Sequence, residues 1–184
     1  YRMAWIGYAE DGEGRPVRLR AHAGVGEEHV RTARVSWAED DWGRGPVGRA
    51  IRERRPVSAR YLVSDPSFAP WREDALRHGF GSCIALPLLG EGSRAGGALT
   101  IFAGELDAFD DEEIAHLGGM ADALSFGIRA IRDRAARDEA RSVAQDAAAR
   151  LAHLLDVSPV VVYSLRPGPA GYETTDVSDN VERV

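Results

Sequence analysis

The sequence has no lysine. All 23 basic residues are arginines, and the formal net charge is -6. We attribute this bias to a GC-rich, bacterial genome rather than to a mechanism. The densest basic group contains Arg49, Arg52, Arg54 and Arg55, and Glu53 interrupts it. An acidic chain without a sustained basic stripe has little with which to hold a phosphate backbone, so nucleic acid is not expected as a partner.

Cysteine and long apolar runs are scarce as well. The single cysteine, Cys83, excludes an internal disulfide and a cysteine-based zinc cage, which fits a reducing cytoplasm. No stretch approaches the ~18 apolar residues needed to span a bilayer, and no signal peptide is evident. The histidines are scattered without a two-histidine helix motif, so no metal site is expected. We therefore expect a cytoplasmic protein with no membrane contact in this segment.

The apolar pattern predicts short strands, two short helices and one long helix. RMAWIGYAE and VRLRAHA form a predicted hairpin, with Val17, Leu19, Ala21 and Ala23 on one buried face. A short strand is predicted around Val35 and Trp37. Further strands are predicted at VSARYL, SCIALPLL and GGALTIFAG, the last two joined by the loop EGSRA. Helices are predicted from Pro46 until Pro56 and over WREDALRHGF, which Gly79 ends. This order favours an α+β fold, an antiparallel sheet with helices packed on it.

The longest predicted element is a helix from Phe109 to Asp156. Asp110 is its expected N-cap, with Glu113 three residues later. At 1.5 Å per residue it would be ~70 Å long, so we expect its second half to leave the globule as a connector or a dimer seam. The residues expected along the dimer and relay face are Leu117, Leu124, Ile128, Ile131, Val143 and Leu151.

Four motifs resemble those of GAF domains, the small-molecule-sensing modules of bacterial sensor kinases, phytochromes and cyclic-nucleotide phosphodiesterases. They are Gly-Pro-Val-Gly-Arg-Ala, Asp-Pro-x-Phe-x-Pro-Trp, Ser-x-Ile-Ala-x-Pro-Leu and Ala-Phe-x-x-x-Glu, in this order. The resemblance covers Met3 to about Ile131 and implies a GAF-like α/β/α sandwich.

The C-terminal segment resembles a second family. SPVVVYSLRP and TTDVSDNVERV are similar to the first two strands of a PAS domain and the entry to its first helix. The expected organisation is a GAF domain at 1–131, a connector helix at 132–156 and a truncated PAS start at 157–184. Because most of a PAS sheet is missing, we expect 157–184 to be poorly packed.

The GAF resemblance places a ligand pocket between one sheet face and the segment from Trp42 to Phe80. There, Arg49, Phe68, Trp71, His78 and Phe80 are the candidate ligand-binding residues, since aromatic walls with a few polar groups suit a small ligand. The alternative is that the aromatic residues are core side chains that hold the loop to the sheet.

No nucleophile and base come together in the sequence, so catalytic residues are not expected. Three departures from the family's patterns argue against three of the functions found in the family. Cys83 precedes Ile84 on a strand and not a histidine on a loop, so no bilin is expected. One cysteine is too few for the family's methionine-sulfoxide reductases. A chain without lysine lacks the Asn-Lys motif of the cyclic-nucleotide-binding members. The cofactor, if any, stays unknown.

The sequence thus favours a non-catalytic sensory module of a bacterial signal-transduction protein. It would bind a small ligand, form a homodimer and relay the signal through the long helix to a histidine kinase output. The alternatives are the sensory front end of a cyclic di-GMP synthase or phosphodiesterase, and a dimerisation module without a ligand. If two chains pair along the helix, Leu124→Asp or Ile131→Asp should weaken the dimer.

Overall fold

A computed structural model describes residues 1–26, 31–90, 95–157, 163–168 and 171–177. Its first compact unit is residues 1–129 and its second is residues 130–184. The strands are β1 (Met3–Ala9), β2 (Val17–Gly24), β3 (Val57–Ala59), β4 (Ser82–Leu88), β5 (Gly97–Ala103), β6 (Tyr163–Gly168) and β7 (Gly171–Val177). The α-helices are α1 (Pro46–Glu53), α2 (Arg72–His78) and α3 (Asp111–Val157), and a 3-10 helix covers Pro66–Trp71.

The first unit is built on a five-stranded sheet in the order β2-β1-β5-β4-β3. All of its strand pairs are antiparallel. This confirms the predicted fold class, an antiparallel sheet with helices packed on it and a long C-terminal helix.

Alternation along the central strands produces two cores, one on each sheet face. On β4, Cys83 and Ala85 belong to the core shared with α1, the 3-10 helix and α2. The alternate residues of the same strand, Ile84 and Leu86, belong to the core shared with α3. The sheet is therefore the middle of three layers, and its strand β4 is buried on both faces.

The edge strand β2 departs from its predicted pattern. Ile6 pairs with Ala21 but Gly7 pairs with Leu19, so Arg20 is an extra residue in a β-bulge. A bulge reverses the inside-outside alternation beyond it. The prediction that Ala21 shares the buried face of Val17 and Leu19 is therefore wrong, as it is for Ala23, and both alanines are exposed.

Two other predicted strands are shorter than expected. Around Val35 and Trp37 only an isolated bridge between Pro16 and Ser36 forms, because this segment is folded into a loop by contacts with α1. Of VSARYL, only 57–59 are in a strand. Most of the predicted loop EGSRA lies outside the described residues.

The helix ends follow the predicted signals. Pro46 occupies the first turn of α1, and Gly79 ends α2 in the left-handed conformation (φ 67°). At the start of α3, the backbone N–H of Glu113 donates to Asp110 Oδ1 at 2.8 Å, which confirms the N-cap. Ser125 Oγ accepts from the N–H of Leu89 at 2.9 Å and so ties α3 to the end of β4.

In the second unit, β6 and β7 form an antiparallel hairpin. Tyr163, Leu165 and Tyr172 are exposed on it. The predicted PAS segment lies partly here, while 158–162 and 178–184 are outside the described residues. In the described part of the chain, no helix has the length and apolar character needed to cross a membrane.

Candidate ligand-binding site

A cavity of about 130 Å³ lies between the sheet face that carries Trp5 and the layer formed by α1 and the 3-10 helix. Its walls are mostly apolar and aromatic. The lining residues are Trp5, Val17, Arg18, Leu19, Arg31, Ala33, Val35, Trp42, Gly45, Pro46, Val47, Gly48, Phe68, Trp71 and Phe102.

Aromatic contacts form one wall of the cavity. Trp71 packs against Phe68 with ring centroids 5.4 Å apart and meets Trp42 edge to face at 6.0 Å. The indole N–H of Trp71 donates to the carbonyl of Arg34 at 3.0 Å, so its orientation is set by a hydrogen bond as well as by packing. Asp65 is the N-cap of the 3-10 helix that carries Phe68 and Trp71, and its side chain accepts a hydrogen bond from the N–H of Ser67 at 2.8 Å.

The start of α1 approaches this wall closely, and glycine makes the approach possible. A Cβ atom on Gly45 would lie 2.7 Å from a ring carbon of Trp71. Gly45 and Pro46 therefore bring the first turn of α1 to the cavity, where a larger residue at Gly45 would displace the indole.

The loop that carries Trp42 is held by Arg52. Its Nη1 lies 3.0 Å from the carbonyl oxygen of Trp37, 2.8 Å from that of Ala38 and 2.9 Å from that of Gly43. A guanidinium is well suited to such a cluster of acceptors. Arg52, which is on α1, thus holds the loop that carries Trp42 against this helix.

A second contact inside this loop involves a carboxylate. Ser36 Oγ donates to Asp40 Oδ1 at 2.6 Å. This hydrogen bond, followed by smaller contributions from the backbone amides of Gly43 and Trp42, lowers the pKa of Asp40. Asp40 is therefore held in its charged form, which suits its role in closing the loop.

Among the described lining residues, the charged ones are two arginines, Arg18 and Arg31. The Arg18 side chain pairs with Glu10, with 3.3 Å between Nε and Oε2, on the sheet face opposite to that of Val17 and Leu19. No aspartate or glutamate is among the described lining residues.

The structure brings together two of the five predicted ligand-binding residues, Phe68 and Trp71, in the cavity wall. Arg49 points elsewhere and pairs with Glu53 at 3.0 Å, which lowers the pKa of that carboxyl. His78 stacks on Phe80, with ring centroids 5.7 Å apart.

Phe80 is one layer behind the cavity. It packs against Phe102, a lining residue, with ring centroids 4.8 Å apart. Phe80 and His78 can therefore affect the cavity through Phe102 but do not line it.

Several lining residues were not among the predicted ones, notably Trp5, Leu19, Trp42 and Phe102. All five predicted residues came from the segment between Trp42 and Phe80, whereas strands β1, β2 and β5 contribute five of the fifteen described lining residues. Trp5 had no clear signal, since Ala4, Ile6 and Tyr8, which alternate with Met3, Trp5 and Gly7 on β1, are also apolar and pack against the other core. The contribution of Trp42 had none, because it depends on the tertiary fold of an irregular loop.

Cys83 lies in the core on the cavity side of the sheet but not in the cavity wall. It is buried, and its desolvation strongly raises the pKa of its thiol. This thiol stays protonated, which opposes both metal binding and nucleophilic reactivity.

The predicted relay residues divide into two groups along α3. Leu117 is buried in the core beneath the sheet, and Leu124 and Ile128 pack against the same core. Ile131, Val143 and Leu151 are exposed. At 3.6 residues per turn, Val143 and Leu151 are about 80° apart around the helix and Ile131 is about 120° from Val143, so these three do not form one stripe.

Comparison with known proteins identifies the family. A GAF domain model matches residues 1–129, and the chain therefore belongs to the GAF domain family. No curated protein is significantly similar in sequence.

Solved structures share this fold at low identity. A domain described as part of a two-component sensor histidine kinase from Sinorhizobium meliloti 1021 is 22% identical with a TM-score of 0.56, over 74% of this chain and 84% of that one. The second GAF domain of DevS from Mycobacterium smegmatis is 19% identical with a TM-score of 0.52, over 73% and 85%.

An enzyme is also among these structures. The free methionine-R-sulfoxide reductase of Neisseria meningitidis, solved with its substrate, is 23% identical with a TM-score of 0.55, over 71% of this chain and 70% of that one. At such identities the likeness defines the fold alone, and the function has to be argued from this chain's own residues.

Proposed function

We propose that this chain is a sensory regulatory module of a bacterial signal-transduction protein and that it binds a small molecule in the cavity beside Trp71. The cavity carries this proposal, because it is bounded by aromatic side chains and has arginines in its wall, the composition of a small-ligand site. Membership of the GAF family, whose members are generally regulatory, supports the same role.

The module itself is proposed to be non-catalytic. Its only cysteine is buried with a protonated thiol, so the chemistry of a thiol-dependent reductase has no exposed nucleophile in this chain. We propose that ligand binding is read out by a separate output domain, for which a histidine kinase is our first choice and a cyclic di-GMP enzyme the alternative. The hairpin β6–β7 is proposed to begin a PAS domain between the two.

A thermal-shift screen of small aromatic compounds tests the cavity as the binding site. We expect at least one compound to raise the melting temperature of the wild type. The same compound should not do so in Ala33→Leu, because the added side chain fills space at a half-buried lining position. Ala69→Leu is the control, since Ala69 is exposed and outside the cavity wall. Equal shifts in both variants would place the binding outside the cavity, and the absence of a shift with every compound would favour a dimerisation module without a ligand.

We further propose that the module forms a homodimer through the outer face of α3. Within the first unit, Leu117 and Ala121 face the sheet, and the opposite face carries Phe126, which is 68% exposed. Gly119 lies on this outer face, and a Cβ there would meet nothing within 4 Å. Two such helices could therefore approach closely, with Phe126 of each chain packed against the other.

Phe126→Asp is expected to weaken this dimer at least tenfold. Phe126 is exposed in the monomer, so its replacement removes apolar contact area and places a charge in the interface without disturbing the domain's own core. Light scattering over a concentration series measures the effect, and Arg129→Gln is the control with the same change in charge at an exposed position. A wild type that stays monomeric at high micromolar concentration would refute the proposed dimer.

This choice of residue improves on Leu124→Asp. Because Leu124 packs against the domain's own core, its replacement would destabilise the fold and weaken any dimer indirectly. Ile131→Asp tests a different face of the helix, since Ile131 is exposed but lies about 140° from Phe126 around the axis.

A further inference from the structure

We infer that the ligand of this cavity is an uncharged monocyclic aromatic molecule. The inference rests on the proposed function, because it assigns a chemical class to the molecule that the cavity would bind. Three observations lead to it, namely the volume of the cavity, the aromatic character of its walls and the lack of a buried charge among its described lining residues.

The volume limits the ligand to a single ring. The cavity measures about 130 Å³. A dry protein cavity of about 150 Å³ is known to hold benzene. A bicyclic or nucleotide-sized ligand would therefore have to move a wall, and the indole of Trp71 is held in place both by its hydrogen bond to the carbonyl of Arg34 and by its closeness to Gly45. The site thus fits one six-membered ring with a short substituent.

Aromatic side chains line the cavity from more than one part of the fold. Trp5 and Phe102 come from the sheet, Phe68 and Trp71 come from the 3-10 helix, and Trp42 comes from the loop before α1. Their rings are inclined to one another, by 51° between Phe68 and Trp71 and by 72° between Trp42 and Trp71. Aromatic pairs prefer offset-stacked or edge-to-face arrangements and gain more than their buried area alone would give. A flat ring can make both kinds of contact here, which a puckered aliphatic ring cannot.

The described wall leaves no buried polar side-chain atom for a ligand to pair with. Among the described residues, two such atoms lack a hydrogen-bond partner, Arg72 Nε and Thr100 Oγ1, and neither residue lines the cavity. The indole N–H of Trp71, which belongs to the wall, already donates to a backbone carbonyl. Sites that select a polar ligand do so through a few polar groups placed to meet it. This wall therefore selects by shape and apolar contact.

The arginines near the cavity do not serve its interior. Arg18 and Arg31 are the charged residues among the described lining residues, and both are exposed. Arg18 pairs with Glu10 on the sheet face opposite to the cavity. An exposed charge that water already solvates contributes little to a new ion pair. A carboxylate inside the cavity would therefore lose its hydration without gaining a buried partner.

A cation is disfavoured for a different reason. Aromatic faces attract cations, and five of the described lining residues are aromatic. The guanidinium of Arg34, however, already lies 5.4 Å from the ring centroid of Trp42. It would repel a second positive charge, and none of the described lining residues is acidic. An uncharged ring gains the aromatic contacts without either cost.

Benzyl alcohol is the reference probe, and four related compounds each change one of its properties. Benzoate and protonated benzylamine carry a charge, cyclohexylmethanol lacks the aromatic ring, and 2-naphthalenemethanol adds a second ring. Ligand-observed NMR titration of the full chain measures all five affinities. We expect benzyl alcohol to bind roughly tenfold more tightly than either charged probe, because a charged group either loses hydration or holds the ring partly out of the cavity. It should bind about threefold more tightly than cyclohexylmethanol, and 2-naphthalenemethanol should bind more weakly than both.

Two tryptophan variants test the aromatic contact itself. Trp42→Leu keeps an apolar side chain in the wall but removes a ring, so it should weaken benzyl alcohol about threefold more than cyclohexylmethanol. Trp37→Leu is the matched control, because Trp37 is also half-buried in the chain before α1 but does not line the cavity. It should leave the ratio of the two affinities as in the wild type. Circular dichroism checks that each variant is folded before titration.

The outcomes separate this inference from the proposed function. If benzoate or benzylamine binds as tightly as benzyl alcohol and Ala33→Leu abolishes that binding, the cavity is a ligand site but the uncharged class is wrong. If cyclohexylmethanol or 2-naphthalenemethanol matches benzyl alcohol and is lost in Ala33→Leu, the cavity is again a site but the monocyclic aromatic class is wrong.

Two further outcomes bear on the site itself. If benzyl alcohol binds equally to the wild type and to Ala33→Leu, the cavity is not the site and both proposals fail. If none of the five probes binds at about 10 mM, the assignment of an uncharged monocyclic aromatic ligand is rejected, since even millimolar affinity would be detected there.

Discussion

Arg52→Met is expected to lower the free energy of unfolding by about 3 kcal/mol, because a charged donor that serves buried or partly buried carbonyls contributes more than a neutral one. Methionine keeps much of the apolar stem and loses the guanidinium. The carbonyl oxygens of Trp37, Ala38 and Gly43 would then lose the group that lies within 3.0 Å of each of them. Urea denaturation followed by circular dichroism measures the change.

Arg49→Met is the matched control for this experiment. It lies three positions earlier on the same helix and makes a partly exposed ion pair with Glu53, with side-chain exposures of 39% and 32%. Such pairs contribute ~0–1 kcal/mol, so this variant should stay close to the wild type. Equal destabilisation by the two variants would mean that Arg52 acts through general charge or helix propensity, and the specific role of its carbonyl contacts would be wrong.

The same variant connects stability to the candidate site. The loop held by Arg52 carries Trp42, and Trp42 meets Trp71 in the cavity wall. A loosened loop would leave one side of the aromatic wall poorly positioned, so Arg52→Met should also weaken ligand binding in protein that remains folded. Arg49→Met should not, because Arg49 does not line the cavity.

Sequence patterns were most informative where one local rule determines the structure. The N-cap at Asp110, the left-handed Gly79 and the double-sided burial of β4 follow from capping, backbone freedom and a continuous apolar run. Each of these signals lies within a few residues of its consequence. The outer strand β2 shows the limit, because the bulge at Arg20 reverses the alternation although β2 itself has no glycine or proline at that point.

The candidate site was less predictable because distant segments build it. Phe68 and Trp71 were recognised from one motif, but Trp5 and Phe102 reach the cavity from β1 and β5. Arg49 was predicted to be one of the few polar groups of the site, yet it pairs with Glu53, one turn later on the same helix. Neighbouring arginines on a helix point in different directions, and here only tertiary contacts distinguish Arg49 from Arg52.

Gly48→Ala and Gly118→Ala are expected to change stability in opposite directions, although both replace a helical glycine with alanine. Helix propensity alone would make each change stabilising by ~1 kcal/mol. Gly118→Ala should therefore stabilise the protein, because a Cβ at this position would meet nothing within 4 Å. At Gly48 a Cβ would lie 2.2 Å from the carbonyl oxygen of Gly43 and 2.6 Å from that of Ser36.

The contacts at Gly48 are with backbone and cannot be relieved by rotating a side chain. The loop would have to move, and the carbonyl of Gly43 that must retreat is also one of the acceptors of Arg52. We therefore expect Gly48→Ala to cost about 3 kcal/mol, at the upper end of the usual range for overpacking. Thermal and urea denaturation of the two variants beside the wild type measures both signs. A stabilised Gly48→Ala would show that the loop from Ser36 to Gly43 is not packed against α1 as described, and the aromatic wall that depends on that loop would have to be reconsidered.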